Sequence, residues 1–83
     1  MAKKLVGKVT HFFNQISVAV IELKSEIKKG DEILIERKSG EEFKEKIDSM
    51  QIEHKKVDKA GKGQSIGLKV SQVVREGDLV YKE

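Results

Sequence analysis

A strict alternation of apolar residues with polar or small ones, from residue 65 to residue 71, constrains the fold most. Ile66, Leu68 and Val70 share one parity, and glycine, lysine and serine occupy the other. Successive side chains of a β-strand point to opposite faces of a sheet, so this period of two predicts a strand with one buried face. The segment therefore indicates a β-sheet that packs on a core through one side.

Comparable runs rich in β-branched and aromatic residues recur along the chain. The predicted strands span residues 5–13, 16–23, 32–37, 42–53, 65–71 and 79–82. Proline is absent, so nothing prevents any of these strands from pairing in the middle of a sheet. A chain of 83 residues is too short for two large sheets, and closing one sheet into a barrel removes its exposed edges. We therefore expect an all-β fold, a small closed barrel of six or seven strands.

Three segments depart from a simple alternation of apolar and polar residues. Residues 40–50 also carry Phe43, Ile47 and Met50 at helical spacing. We favour a strand there, with a bulge or bend near residues 48–49, where the apolar parity changes. The predicted strand at residues 16–23 is apolar on both faces, which indicates that both faces are covered or that a bulge shifts its phase. Residues 54–64 are predicted to form a long loop.

Length and composition exclude several classes of protein. We expect one domain over residues 1–83, with residues 1–4 as a disordered basic N-terminus. The chain has no cysteine, which excludes disulfides, thiolate zinc sites and iron–sulfur clusters. The longest apolar run, residues 16–21, is interrupted by Ser17 and is far shorter than the roughly 20 residues that span a bilayer. The sequence therefore predicts a cytoplasmic protein without membrane contact.

The sequence offers no catalytic constellation. His11 and His54 lie far apart, and neither has a serine or aspartate at a spacing typical of a nucleophile and its base. Their separation is also not a recognisable spacing of metal ligands. We therefore expect a protein that is not an enzyme and that carries no metal or cofactor.

Basic residues are concentrated in residues 1–21, which carry three lysines and no acidic residue, and in residues 54–75. Residues 54–75 carry five lysines and one arginine against a single aspartate, within a chain of net charge +3. Such a patch attracts phosphates, although lysine-rich loops are often only solvated. The candidate nucleic-acid-binding residues are Lys8, His54, Lys55, Lys56, Lys59, Lys62 and Lys69. The turn formed by residues 61–63 is a further, weaker candidate for binding phosphate through its backbone.

A second set of residues is a candidate surface for a protein partner. His11, Phe12 and Phe13 are adjacent in the first predicted strand, and adjacent strand residues point to opposite faces unless the strand is bulged. At least one of the three is therefore expected on the surface. Gly67 lies opposite the core face of its strand, where a glycine often marks the close approach of another backbone or a partner.

The order and spacing of several motifs carry a resemblance to a known family. The motifs are Val6-Gly7-Lys8-Val9, Ile27-Lys28-Lys29-Gly30-Asp31-Glu32-Ile33, Asp48-Ser49-Met50-Gln51, Ala60-Gly61-Lys62-Gly63, Ile66-Gly67-Leu68 and Arg75-Glu76-Gly77-Asp78. Together they resemble the second, β-barrel domain of translational GTPases of the elongation factor Tu type. Residues 50–63 resemble two narrower groups, the small stand-alone elongation-factor-like proteins and the C-terminal barrel of a collagenase-like peptidase family, some of whose members modify RNA.

The resemblance implies a closed Greek-key barrel of the translation-protein type. It also implies a module that docks beside a catalytic domain and contacts RNA, the ribosome or a protein partner. The phosphate loop of GTPases is absent, so the chain is not expected to bind GTP by itself. Two functions follow: a translation-factor-like module that binds RNA or the ribosome through its basic loop, or a protein-interaction module that docks on a separately encoded enzyme, such as an RNA-modifying member of the collagenase-like peptidase family.

The alternation from residue 65 to residue 71 gives a direct test of the fold. Leu68→Ala should lower the free energy of unfolding by roughly 2–5 kcal/mol, because it removes a buried leucine from the core face. Denaturant unfolding of the two proteins measures this difference. A loss below about 0.5 kcal/mol would place Leu68 on the solvent face, since surface changes usually stay within that range.

Overall fold

The computed structural model, which describes residues 3–53 and 55–82, contains ten β-strands in two antiparallel sheets. The strands are β1 (Lys4–Phe13), β2 (Val18–Leu23), β3 (Ile27–Lys28), β4 (Glu32–Glu36), β5 (Glu42–Lys46), β6 (Met50–Ile52), β7 (Lys55–Val57), β8 (Lys59–Ala60), β9 (Ser65–Lys69) and β10 (Leu79–Lys82). The larger sheet has the order β5-β4-β10-β1-β2-β9-β6-β7, and β3 pairs with β8 in the smaller sheet. The expected all-β class is confirmed, and the helix considered for residues 40–50 is absent from this described segment.

The core lies against the inner face of the curled larger sheet. Ile66, Leu68 and Val70 are at most 3% exposed, as their alternation predicts. In the ladder, Leu68 lies opposite Ala19 of β2 and Met50 of β6, which are buried as well. Each strand of this part of the sheet therefore contributes side chains of one parity to the same core.

Two irregularities in β1 determine which of its side chains face inward. The register shifts between Leu5 and Gly7 in the pairing with β10, and again between Val9 and His11 in the pairing with β2. A bulge adds one residue to one strand and so changes the parity of everything that follows it. Val9 is buried before the second bulge, and Phe12 packs against the core after it.

The expected closed barrel of six or seven strands is wrong. Among the described residues, the edge strands β5 and β7 are not paired with each other, so the larger sheet is open and forms a curled half-barrel. The smaller sheet and its flanking residues connect the two edges through single hydrogen bonds. The Gly30 amide donates to the Ile47 carbonyl (2.8 Å), and the Lys29 amide donates to the Asp58 carbonyl (2.7 Å). The strands β3, β7 and β8 in these regions are only two or three residues long, and β3 and β8 form a sheet of their own, so no continuous ladder joins the two edges of the described sheet.

Two predicted segments also differ from the structure. The predicted strand at residues 42–53 is two strands, because the chain leaves β5 at Lys46 and begins β6 at Met50 with different neighbours. The predicted loop at residues 54–64 contains β7 and β8. The predicted disordered N-terminus does not extend to its two described residues. Lys4 is the first residue of β1, and the Lys3 ammonium donates to Glu42 Oε2 (2.6 Å).

Gly7 offers a test of how tightly β1 packs on β2. A Cβ at Gly7 would lie 2.6 Å from Ile21 Cγ2 and 3.0 Å from the Glu22 carbonyl oxygen. We expect Gly7→Ala to cost about 1–3 kcal/mol of unfolding free energy, the usual result of overpacking a core. Gly61→Ala is the matched control, because a Cβ there meets no described atom within 4 Å. Equal melting temperatures for the two variants would contradict this account of the β1–β2 packing.

Candidate docking surface

A row of side chains crosses the outer face of the larger sheet. His11 of β1 lies opposite Val20 of β2, Val20 lies opposite Gly67 of β9, and Gly67 lies opposite Gln51 of β6. In a neighbouring row, Phe13 lies opposite Val18. Residues directly opposite in an antiparallel ladder have Cβ atoms about 4.5–5.5 Å apart and point to the same face. We call His11, Phe13, Val18, Val20 and Gly67 the outer-face patch.

The centre of the outer-face patch is apolar and shallow. The rings of His11 and Phe13 meet edge to face, with centroids 4.5 Å apart, and Phe13 remains 48% exposed. Gly67 has no side chain to cover the valines of β2 that lie beside it. A Cβ at Gly67 would come within 3.3 Å of Val18 Cγ1. The glycine thus leaves Val18 and Val20, which are only partly buried, without a covering side chain from β9.

Three of the four predicted partner-surface residues meet in this patch, and the fourth does not. Phe12 lies opposite the buried Ala19 and packs against the core as a partly buried side chain, on the other face of the sheet from the patch. The bulge after Val9 sends Phe12 inward and its two neighbours outward. The two valines were missed as site residues, although the apolar pattern on both faces of their strand was the signal. The outer side of that strand is left uncovered among the described residues.

Lysines surround the apolar centre. Lys56 lies opposite Gln51 at the end of the first row, Lys69 lies opposite Val18, and Lys8 lies opposite Glu22. We call these three lysines the rim lysines; all are exposed. The pKa of the Glu22 carboxyl is lowered, mainly by a hydrogen bond from Lys24 (2.9 Å), with a smaller contribution from the charge of Lys8. An apolar centre with a polar rim is the usual anatomy of a protein interface.

The remaining predicted basic residues do not join this surface. Lys55 lies on β7 opposite Ile52, Lys59 lies on β8 opposite Lys28, and Lys62 lies in the turn between β8 and β9. His54 lies outside the described residues. The rim lysines were therefore all among the predicted basic residues, but the prediction grouped them with basic residues that lie elsewhere.

The backbone of the turn that precedes β9 is already hydrogen-bonded. The Gly61 amide donates to Gln64 Oε1 (2.8 Å), and the Gly63 amide donates to the Leu23 carbonyl (3.0 Å). A phosphate would have to compete with these partners for the same N–H groups. The phosphate-binding turn considered from the sequence is therefore not formed.

Comparison with known proteins identifies the family. The family described as "Peptidase family U32 C-terminal domain" matches residues 2–80, nearly the whole chain. The chain belongs to this family. A solved structure shares the fold: the selenomethionine variant of the C-terminal domain of a Geobacillus thermoleovorans protein assigned to the U32 peptidases superimposes with a TM-score of 0.90 at 20% identity, covering 95% of this chain and 99% of that one.

Curated relatives of this U32 C-terminal domain are much longer proteins. An uncharacterized protease of Methanocaldococcus jannaschii is 47% identical over 76 residues, which are 92% of this chain and 19% of that protein. A collagenase of Porphyromonas gingivalis is 36% identical over 81 residues, which are 96% of this chain and 22% of that protein. The chain thus spans about a fifth of the length of these relatives.

The family assignment corrects the interpretation of the chain as a translation factor. The matched family and the relatives are U32 peptidase and collagenase-like proteins, not elongation factors or stand-alone elongation-factor-like proteins. The sequence resemblance to the C-terminal barrel of the collagenase-like peptidase family was correct. The ordered Gly-Asp turns misled the comparison because short turns of this kind occur in many β proteins.

The described residues of this U32 domain lack two features, a membrane-spanning helix and a metal-binding cluster. They contain no helix that is long and apolar enough to cross a membrane. They also contain no group of three or more histidine, cysteine, aspartate or glutamate residues placed to hold a metal ion.

Asp31 fixes the turn that joins β3 to β4 in this U32 domain. Its Oδ2 accepts hydrogen bonds from the Lys28 amide and from the Lys82 ammonium, both at 3.0 Å, and its carboxylate is 11% exposed. Burial alone would raise the pKa of Asp31, but the hydrogen bonds from Lys82 and Lys28 and the charge of Lys82 outweigh it, so the pKa lies below the ordinary value of 3.8. The ionised form is therefore the one that the fold stabilises.

The lowered pKa of Asp31 gives a prediction for stability against pH. A carboxyl with a lowered pKa in the folded state stabilises the fold above its ordinary pKa of 3.8, and this contribution is lost as the pH falls through the folded value. Asp31→Asn should therefore be less stable than the wild type near neutral pH, and the difference should shrink in acid. Denaturant unfolding at several pH values measures it.

The exposed neighbour Glu32 provides the control for this experiment. Glu32 pairs with Lys44 at 3.7 Å, with side chains 64% and 62% exposed, and such surface pairs contribute little. Glu32→Gln should change the free energy of unfolding by less than about 0.5 kcal/mol. A gap between Asp31→Asn and wild type that stays constant from neutral to acid pH would show that the charge of Asp31 is not what stabilises the turn.

Proposed function

We propose that this U32 C-terminal domain is a non-catalytic docking module, and that its outer-face patch binds the remaining, larger part of a U32-type protein. That part can belong to the same chain or to a separately encoded one. The observation that carries the proposal is the match of nearly the whole chain to about a fifth of each curated relative. In those proteins, the same kind of domain is joined to several times its own length of chain.

The composition of the outer-face patch supports a protein partner. Phe13 is about half exposed and meets the His11 ring edge to face, and the flanking valines of β2 lie beside a glycine rather than under a side chain. Exposed aromatic residues backed by a rigid sheet are typical centres of binding energy in interfaces. The rim lysines would favour an acidic border on the partner and would mainly speed association.

A docking role also suits the environment of His11, the histidine within the described residues. Its ring meets that of Phe13 edge to face, and no described hydrogen bond joins it to a serine or aspartate side chain. Catalysis by the described residues would need a nucleophile or acid with an orienting partner. We therefore propose that any peptidase or RNA-modifying chemistry belongs to the partner, and that the domain positions or stabilises it.

Phe13→Gln tests the docking proposal. The substitution removes an exposed aromatic ring from the patch, so we expect binding to weaken by about 2 kcal/mol, about thirtyfold in Kd, with little change in stability. The measurement is isothermal titration calorimetry. The chain is titrated into a shortened form of the Methanocaldococcus jannaschii relative that lacks the matching segment. Circular dichroism of each protein establishes that the variants and the shortened relative are folded.

Val73→Gln is the matched control, because Val73 is exposed (61%) but lies outside the patch, between β9 and β10. It should bind like the wild type. Equal losses for Phe13→Gln and Val73→Gln would contradict the placement of the interface. Binding to total RNA with no binding to the shortened relative would contradict the docking function itself.

A further inference from the structure

A second surface, separate from the residues of the outer-face patch, lies where three segments meet beside the small sheet. It is a groove of about 750 Å³, and we call it the lysine groove. Its lining residues are Lys28, Lys29, Gly30, Lys46, Ile47, Asp48, Asp58 and Lys59. Neither the docking proposal nor the predicted basic loop accounts for it, since only one of its four lysines was among the predicted basic residues.

The pairing of β3 with β8 places two lysines side by side. Ile27 lies opposite Ala60 and both are buried, so Lys28 and Lys59, which are also opposite each other, share the exposed face. Like charges directly opposite in an antiparallel pair are destabilising. The small sheet therefore carries two lysines at directly opposite positions, an arrangement that does not benefit its own stability.

Backbone hydrogen bonds bring the other two lysines to the same groove. The Lys29 amide donates to the Asp58 carbonyl (2.7 Å). The Gly30 amide donates to the Ile47 carbonyl (2.8 Å), and the Ile47 amide donates to the Asp31 carbonyl (2.9 Å). The two bonds of Ile47 hold the end of β5, and with it Lys46, against the β3–β4 turn. Ile47 is fully buried and forms the floor. The lysines are thus carried by a backbone that is fixed by its own hydrogen bonds.

The charges of the lysine groove are not balanced. Within the described residues, none of its four lysines forms an ion pair, and Glu32, which lies opposite Lys46 in the ladder, pairs with Lys44 instead. The groove also contains Asp48 and Asp58, so its lining carries two more positive than negative charges. An excess of positive charge at a surface raises the local concentration of anions.

We infer that the lysine groove binds a terminal phosphate group, either free as a di- or triphosphate or at the end of a larger molecule. A phosphate monoester carries about −1.5 to −2 charges and three acceptor oxygens, which matches the excess charge and the several ammonium donors. A carboxylate offers one charge and two oxygens, and a phosphodiester has one charge. The two aspartates add selectivity, because they repel an anion that does not engage several lysines at once.

Nuclear magnetic resonance titration of the 83-residue chain tests this inference. The probes are pyrophosphate, a short single-stranded oligonucleotide with and without a 5′-phosphate, and polyglutamate. We expect pyrophosphate to shift the amide resonances of Lys29, Gly30 and Ile47. We also expect the oligonucleotide to bind at the same residues only when it carries the terminal phosphate, and polyglutamate to bind at least about tenfold more weakly than pyrophosphate.

A pair of triple variants with equal net charge separates the groove from general basicity. Replacing Lys28, Lys46 and Lys59 by Gln should weaken pyrophosphate binding by about tenfold or more, because each lysine supplies a charge-assisted hydrogen bond. Replacing Lys55, Lys56 and Lys62 by Gln should change it by less than about threefold, because none of the three lines the groove and screening weakens charges that do not contact the ligand. Thermal unfolding of both variants establishes that they remain folded.

Several results would overturn the inference. Equal losses in the two triple variants would show attraction by net charge alone. Oligonucleotide binding that does not depend on the 5′-phosphate would show recognition of the diester backbone, and equal binding of polyglutamate would show a site for any polyanion. Absence of shifts at the groove with pyrophosphate would show that the lysines are only solvated. None of these results bears on the outer-face patch, which is tested separately.

Discussion

The bulge in β1 after Val9 is the constraint on which the candidate docking surface depends. Without it, the residues that follow would keep the parity of Val9, and Phe12 would face outward while His11 and Phe13 turned into the core. With it, one phenylalanine fills the core and the other joins an exposed aromatic pair. A single extra residue in one strand thus divides three consecutive aromatic side chains between stability and surface.

The register of β2 and β9 completes what the bulge begins. Val20 lies between His11 and Gly67 because β2 pairs with both β1 and β9. The inner face of β2 is occupied by Ala19 and Ile21, which are buried in the core. A strand with two apolar faces in an open sheet has only one of them covered by the core. The uncovered face is then the natural place for a contact with another folded unit.

Much of the architecture could be predicted from the sequence, because strand alternation is a local property. The burial of Ile66, Leu68 and Val70 follows directly from their spacing. The bend near residues 48–49 was visible as a change of parity, but the change of partner, from β4 for β5 to β9 for β6, was not. Strand order depends on long-range pairing, and the sequence pattern alone does not distinguish a closed sheet from an open one.

The candidate site was predictable in part for the same reason. His11, Phe13 and Gly67 were selected one at a time, and only the ladder shows that they share a face. The lysine groove was not predicted, because Lys28, Lys46 and Lys59 come from three separate segments of the chain. Grouping lysines by sequence distance favoured residues 54–75 instead. Charge clusters that form across strands require the fold before they can be recognised.

The open edges of the larger sheet bear on whether copies of the domain associate with each other. An unpaired edge strand is a template for adding further strands, and natural proteins protect such edges with lysine and other charged residues. Charged residues occupy every second position of β5 and share its exposed face: Glu42, Lys44 and Lys46. The other edge strand, β7, begins with Lys55 and Lys56. These charges discourage edge-to-edge self-association, so the domain can keep an open sheet and an exposed aromatic pair without forming aggregates through its strand edges.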